Sequence, residues 1–329
     1  MGPIMLDRYL DKAVQTSVCS ADVATTIKAL ATAARKIAGM TAQTGLPDAD
    51  YGALVGDQNQ DGDDQKALDV LADEAVYTAL LEAPVAVYLS EEKDQPVQMP
   101  ERKNTEAGLM VAADPLDGSS NISTNLSVGT IFSVLPAPKG DAISDCLMSG
   151  RAQLAAGYFI YGPQTCLLLT LGAGLHVFIL DGDGQFQQSD WVPEIPASAP
   201  EFALNMANRR FWSAGITTYV DALLAGKDGD FGQHYNMRWC GSLVADAFRI
   251  FRRGGIFLYP ADARQGYEDG RLRLVYEAHP IALMVEQAGG VASDGNSAIL
   301  DKVAAHLHAR TPFIFGSKDE VGRYLALTQ

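Results

Sequence analysis

Long hydrophobic runs are missing from this chain of 329 residues. No apolar stretch approaches the roughly 18 residues that a membrane-crossing helix needs. The first residues, MGPIMLDRYLDKAV, carry charge early, without the apolar core of a secretory leader. The start MGPIML also lacks the hydroxyl of a myristoylation pattern. Cysteine is scarce: Cys19, Cys146, Cys166 and Cys240 lie far apart, and none forms a CxxC pair. That usage points to a reduced, cytoplasmic chain whose thiols are incidental. Cations are in deficit, 25 Lys and Arg against 40 Asp and Glu, for a net charge of −15. Nucleic acid and anionic membranes are poor partners for such a surface. An anionic small substrate stays open, because bound cations can reverse the local sign. Neither GxxxxGK[ST] nor GxGxxG occurs, which disfavours a nucleotide-dependent kinase. There is no internal repeat and no low-complexity segment.

What is present is an ordinary globular composition, 47% hydrophobic and 20% charged, long enough for one large domain or two tightly packed ones. Residues 21–39, ADVATTIKALATAARKIAG, place Ala, Ile and Leu at helical spacing and end at a glycine, which predicts a helix. Residues 41–63, rich in Gly, Gln and Asp, read as a mobile connection, and helical spacing returns from Asp63 to Ala83. Short apolar runs at 85–89, 108–113, 125–135, 155–161, 166–171 and 175–180 predict successive strands, with antiparallel pairs among them. After Asp181 the chain is loop-rich. Strands and helices then alternate: EFALNMA, ITTYVDALLA, GSLVADAFRIFRR, GIFLYPA, YEAHPIALMVEQAGG and TPFIFGS. That alternation predicts α/β layering, with a boundary near residues 185–200.

Carboxylates gather where these elements end. In ADPLDGSS, Asp114 and Asp117 follow the apolar run GLMVAA. Pro115 would end the strand ladder, and Gly118 would let the backbone approach a ligand. Ser119, Ser120, Asn121 and the local backbone N–H groups could cradle a phosphate. Glu91 and Glu92 follow VAVYLS, Asp63 and Asp69 open a predicted helix, and Glu277 opens another. Each has a bland reading alone: a turn, a solvated surface, a helix cap. Together they offer the all-oxygen donor set of a hard cation such as Mg2+. The matching chemistry is metal-assisted phosphoryl transfer to water.

The run ADPLDGSSNISTNLSVGTIFSVLP resembles the signature region of the Mg2+-dependent class 1 fructose-1,6-bisphosphatases, of the inositol-phosphatase-like superfamily. DGDDQKALDVLADE, YLSEE, LNMANRRFW, RWCGSLVADAFR, GGIFLYPA, GRLRLVYEAHPIALMVEQAGG and PFIFGS follow the family in order and cover most of the chain. The resemblance implies an αβαβα sandwich in two subdomains, 1–190 for metal and 1-phosphate, 191–329 for sugar and 6-phosphate. It implies a cytoplasmic homotetramer acting on a sugar bisphosphate, with two or three Mg2+ per subunit, or Mn2+. The metal ligands it implies are Asp63, Glu91, Glu92, Asp114, Asp117, Glu277 and the carbonyl of Leu116. Asp69 with Glu92 would activate water, and Gly118, Ser119, Ser120 and Arg273 would hold the 1-phosphate. Gly241, Ser242 and Leu243 would lie along the sugar. Asn205, Tyr259 and Arg271 would take the 6-phosphate beside Trp239, with Arg238 entering from a neighbouring subunit. Fructose 1,6-bisphosphate hydrolysis in gluconeogenesis or the Calvin cycle is the implied activity. Sedoheptulose-1,7-bisphosphatase, a bifunctional enzyme and a silent metal-binding relative are the alternatives.

Some positions depart from the family pattern. Trp239 and Asn208 stand where tyrosines are usual, Arg271 where a lysine is usual, and Ser123 where an aspartate is usual. Arginine binds phosphate as a planar fork rather than a point charge. The AMP-binding turn of animal members is replaced by VCSADVATT, and their lysine-tyrosine pair by Gly108 and Leu109. Weak or absent AMP inhibition is therefore expected. The cysteine-bearing insertion of chloroplast forms has no counterpart.

Overall fold

Alternation decides the layering. In the strand Leu109–Asp117, Met110 and Ala112 face one apolar core, while Leu109, Val111 and Ala113 face another. A strand buried on both faces must be covered on both faces. In the computed structural model, which describes residues 3–44, 46, 54–58, 64–100, 108–140 and 142–328, that is what is found. The strand belongs to an eight-stranded sheet, ordered Phe186–Gln188, His176–Leu180, Thr165–Thr170, Ala155–Tyr161, Val128–Pro136, Leu109–Asp117, Val85–Ser90 and Val97–Gln98. Its pairs are antiparallel except Val85–Ser90 against Leu109–Asp117.

One face of this sheet carries the helices Leu6–Gln15, Ala21–Gln43 and Ala67–Leu80. Ser20 caps the second, its hydroxyl accepting from the Val23 N–H at 3.2 Å. Its buried stripe is Val23, Ile27, Leu30, Ala34 and Ile37. The helix runs past Gly39, where the sequence predicts its end. Met40 continues the buried stripe, and Gly39 faces open space. The other face packs on the helices Leu243–Arg253 and His279–Gln287. Beyond them lies a five-stranded sheet: Asn236–Met237, Glu201–Leu204, Ile256–Tyr259, Phe313–Gly316 and Val291–Ser293. The helices Ala214–Leu224 and Lys318–Thr328 close its far side around Tyr219, Val220 and Val321. The layers thus run αβαβα, the α/β sandwich expected.

Two local readings are corrected. The helix expected from Asp63 begins at Ala67, after a short pair of strands, Leu54–Gln58 with Asp64–Lys66. Pro115 does not end its strand: the register slips between Asp114 and Asp117, and pairing resumes at Asp117 with Gly129. The Pro115 carbonyl is still used, accepting from the Thr130 hydroxyl at 2.8 Å. The slip is a bulge, and a bulge re-aims side chains without cutting the sheet. No helix among the described residues is long and apolar enough to cross a membrane.

Candidate active site

The bulge turns the two aspartates of ADPLDGSS into one cavity. Asp114 is tied to its own turn, accepting from the Leu116 N–H at 3.0 Å. Asp117 reaches the start of the helix Leu243–Arg253, where its carboxylate accepts from the Val244 N–H at 3.0 Å and the Ser242 hydroxyl at 3.3 Å. An acid from 127 residues upstream thus caps this helix, a contact worth about 1 kcal/mol. Gly118 follows with φ +78°, where a side chain would be strained, and an added Cβ would lie 3.2 Å from Ser242. The chain then coils into the tight helical stretch Ser119–Thr124, which is tied to the opposite wall by the Asn121 amide donating to the Gly241 carbonyl at 3.2 Å.

Glu91 and Glu92 leave the next strand. The Glu91 N–H still donates to the Ala113 carbonyl at 3.0 Å, so the turn starts in register with Asp114. Glu277 lies on the wide π-helical turn Leu274–Ala278 and accepts from the Arg273 N–H at 2.5 Å. The Arg273 guanidinium donates to Glu91 at 3.2 Å. Asp69 comes from the first turn of the helix Ala67–Leu80.

Electrostatics set the character of this end. Oxygens of Asp114, Asp117 and Glu277 all lie within 4.8 Å of one another, and all three residues are buried. Two like charges at that spacing repel by about 3 kcal/mol at an effective dielectric near 20. Burial, then the charges of Glu277 and Glu92, holds Glu91 well above the usual carboxylate range. Burial, then Glu91 and Asp117, does the same to Asp114. Burial, then Asp117, pushes Glu277 up to about 8. Asp117 reaches only about 6, because the Val244 N–H and Ser242 hydroxyl offset its burial. An all-oxygen cluster that resists ionisation is what a hard divalent cation relieves, so the residues present fit such an ion.

The far end is built differently. Trp239 stacks on Phe257, with ring centroids 5.8 Å apart, and tilts against Tyr259 at 5.9 Å. Two guanidiniums lie over the Tyr267 ring, Arg264 at 4.1 Å and Arg271 at 5.5 Å from its centroid. Arg271 also donates to the Tyr267 hydroxyl, and Arg264 is paired with Asp262. Asp246 accepts from the Cys240 and Gly241 N–H groups at 2.9 and 3.1 Å, which fixes the loop after Trp239.

A single cavity of about 730 Å³ joins the two ends. Its wall includes Asp69, Glu91, Glu92, Asp114, Leu116, Asp117, Gly118, Ser119, Ser120 and Glu277 at one end. Asn205, Trp239, Gly241, Ser242, Leu243, Tyr259 and Arg271 also line it. Arg273 meets the cluster through Glu91 and Glu277. Arg238 is exposed, its guanidinium donating to the Met237 carbonyl at 2.8 Å, and it is not on this wall. Asp63 lies outside the described residues. Ser123 is exposed and off the wall. The sequence reading missed Asp246, Phe257, Arg264, Tyr267 and Leu272. A cation and an aromatic in ADARQGYEDGR were visible, but nothing in the string says that this loop folds onto the cavity.

A layered fold with an acid-lined cavity of this size at its sheet ends fits a class of enzymes that handle small phosphorylated substrates with the help of divalent cations. Sequence comparison narrows the class. The chain matches the family description "Fructose-1-6-bisphosphatase, N-terminal domain" over residues 6–190 and "Fructose-1-6-bisphosphatase, C-terminal domain" over 195–329. It is 47% identical over 326 residues, 98% of either chain, to the class 1 fructose-1,6-bisphosphatase of Azorhizobium caulinodans. It is 52% identical over 308 residues, 92% of this chain and 87% of the other, to that of Rhizobium meliloti. Among solved structures, Leishmania major fructose-1,6-bisphosphatase in holo form superposes with a TM-score of 0.90 at 34% identity, over 99% of both chains. The chain belongs to the class 1 fructose-1,6-bisphosphatase family.

Proposed function

We propose that this protein hydrolyses the 1-phosphate of D-fructose 1,6-bisphosphate, releasing fructose 6-phosphate and phosphate. The observation that carries the reading is the junction, in one cavity, of a buried carboxylate cluster with an arginine and aromatic wall. A substrate with two phosphates can be held at both ends at once. Asp63, Glu91, Glu92, Asp114, Asp117, Glu277 and the Leu116 carbonyl are the ligands we assign to two or three Mg2+ or Mn2+. Such ions would neutralise phosphate charge and lower the pKa of attacking water. Asp69 with Glu92 takes the proton from the attacking water as the new P–O bond forms; the bond from phosphorus to O1 breaks, and O1 regains a proton from solvent to leave as the sugar hydroxyl. Gly118, Ser119, Ser120 and Arg273 orient the reacting phosphate. Gly241, Ser242 and Leu243 line the sugar, and Asn205, Trp239, Tyr259 and Arg271 hold the remote phosphate. Binding energy at that remote end positions the reacting end.

The further assignments are a division into 1–190 and 191–329 by these roles, a cytoplasmic homotetramer with Arg238 entering a neighbour's cavity, and a place in gluconeogenesis or the Calvin cycle. The test is phosphate release from fructose 1,6-bisphosphate, sedoheptulose 1,7-bisphosphate and inositol 1-phosphate, with Mg2+ and with EDTA. Metal-dependent release from the first is expected. Comparable release from the second makes the enzyme bifunctional. Release only from inositol 1-phosphate, or release that survives EDTA, overturns the reading.

A further inference from the structure

Beneath the acidic end lies a carboxylate with no role in the reaction just described. Asp73 is 4% exposed and sits four residues after Asp69 on the helix Ala67–Leu80, so the two share one helix face. One Asp73 oxygen accepts from the Tyr88 hydroxyl at 2.8 Å and the Ser90 hydroxyl at 2.7 Å. The other pairs with the Lys93 ammonium at 2.6 Å. All three partners lie on the strand Val85–Ser90 or the turn directly after it. That turn carries Glu91 and Glu92.

The contacts continue to the turn itself. The Ser90 oxygen that donates to Asp73 also accepts from the Glu92 N–H at 3.2 Å. The Lys93 carbonyl meets the His308 ring at 3.1 Å, so the turn is held from its other side as well. Asp73 therefore grips the strand before Glu91, the hydroxyl under Glu92 and the cation after both. A buried carboxylate costs several kcal/mol unless paired, and here each oxygen is paired with a group that fixes the same turn.

We propose that Asp73 is a positioning residue, which locks the helix bearing Asp69 to the turn bearing Glu91 and Glu92 and so sets the geometry of the cation site. The inference rests on the reading of that cluster as a cation site. Groups that hold metal ligands in place typically carry a 10–100-fold share of metal affinity.

The test compares Asp73→Ala with Asp73→Asn in the full chain. Asparagine keeps an oxygen for Tyr88 and Ser90 but loses the charge facing Lys93. Titration calorimetry with Mg2+ alone should show affinity about 10-fold weaker for Asp73→Ala and within about threefold of the parent for Asp73→Asn. The Mg2+ concentration for half-maximal rate should move in parallel, while KM for fructose 1,6-bisphosphate stays within about twofold. A lower melting temperature with unchanged Mg2+ affinity overturns the proposal and leaves Asp73 a fold residue only. If Asp73→Ala does not fold, Ser90→Ala removes the link to the Glu92 N–H, and unchanged Mg2+ affinity there has the same force. A parent protein that neither binds Mg2+ nor releases phosphate sinks the parent reading, whereas a parent that does both beside an unaffected variant sinks only this one.

Discussion

The two ends of the cavity solve opposite charge problems. At one end, carboxylates from four separate segments line the wall, Asp69, Asp114, Asp117 and Glu277 buried and Glu91 and Glu92 half-buried, with the Arg273 guanidinium on Glu91. At the other, the half-buried Arg264 and the exposed Arg271 set their charge against the Tyr267 ring, and Arg264 also pairs with Asp262. The acidic end is unstable without a partner, and its side chains resist ionising. At the basic end Arg264 is compensated by Asp262, while Arg271 meets the Tyr267 ring and hydroxyl and keeps its charge for an anion. On the proposed function, the end that would recruit cations is crowded with like charges, and the end that would anchor the remote phosphate is made of charges set against aromatic rings and a carboxylate.

The largest test of that contrast is at the acidic end. Asp69→Asn or Glu92→Gln should cut turnover at least ~100-fold, with the melting temperature little changed. A loss confined to KM would move the chemistry elsewhere. The next test is metal removal and its pH dependence. A carboxylate whose folded pKa is raised stabilises the fold below its unfolded value near 4, and loses that contribution as pH rises through the folded pKa. With Asp117 at about 6 and Glu277 at about 8, the cation-free protein should melt progressively lower from about pH 5 to pH 8. Added Mg2+ should raise the melting temperature more at about pH 8 than at about pH 6, since fewer protons compete. The opposite order, read by calorimetry or thermal shift, would break the picture of a strained cluster.

At the basic end Arg271→Ala should raise KM for fructose 1,6-bisphosphate about 10-fold or more, the scale of a charge-assisted hydrogen bond, with kcat within about threefold. Unchanged KM would displace the remote phosphate from this wall. The smallest expected effect is that of AMP, which should leave the rate unchanged. Gly108 and the buried Leu109 offer a nucleotide phosphate no cation and its base no aromatic face.

Much of this was written in the string. Buried strands need apolar residues in runs, so the central strands of both sheets were legible as runs, whereas the short edge strands Val97–Gln98, Phe186–Gln188, Asn236–Met237 and Val291–Ser293 were not, and Phe186–Gln188 lies in a stretch read as loop. Asp114, Asp117, Glu91, Glu92 and Glu277 were legible as a group because carboxylates at element ends are what hard-cation chemistry would need, and all five line the cavity. Element ends were read less well: the helix through Gly39 and the bulge at Pro115 follow from packing on neighbours, not from local propensity.

By itself, then, the sequence determined the alternation of elements, the residue types of the acidic end and their order along the chain, because each depends on local periodicity or on donor chemistry. Only the tertiary structure decided that Asp117 would cap a helix 127 residues away, that Arg264 and Tyr267 would join the far wall, and that Asp73 would lie beneath Glu92. Those are meetings between distant segments. They depend on how sheets twist and helices seat, and no window of the chain contains both partners.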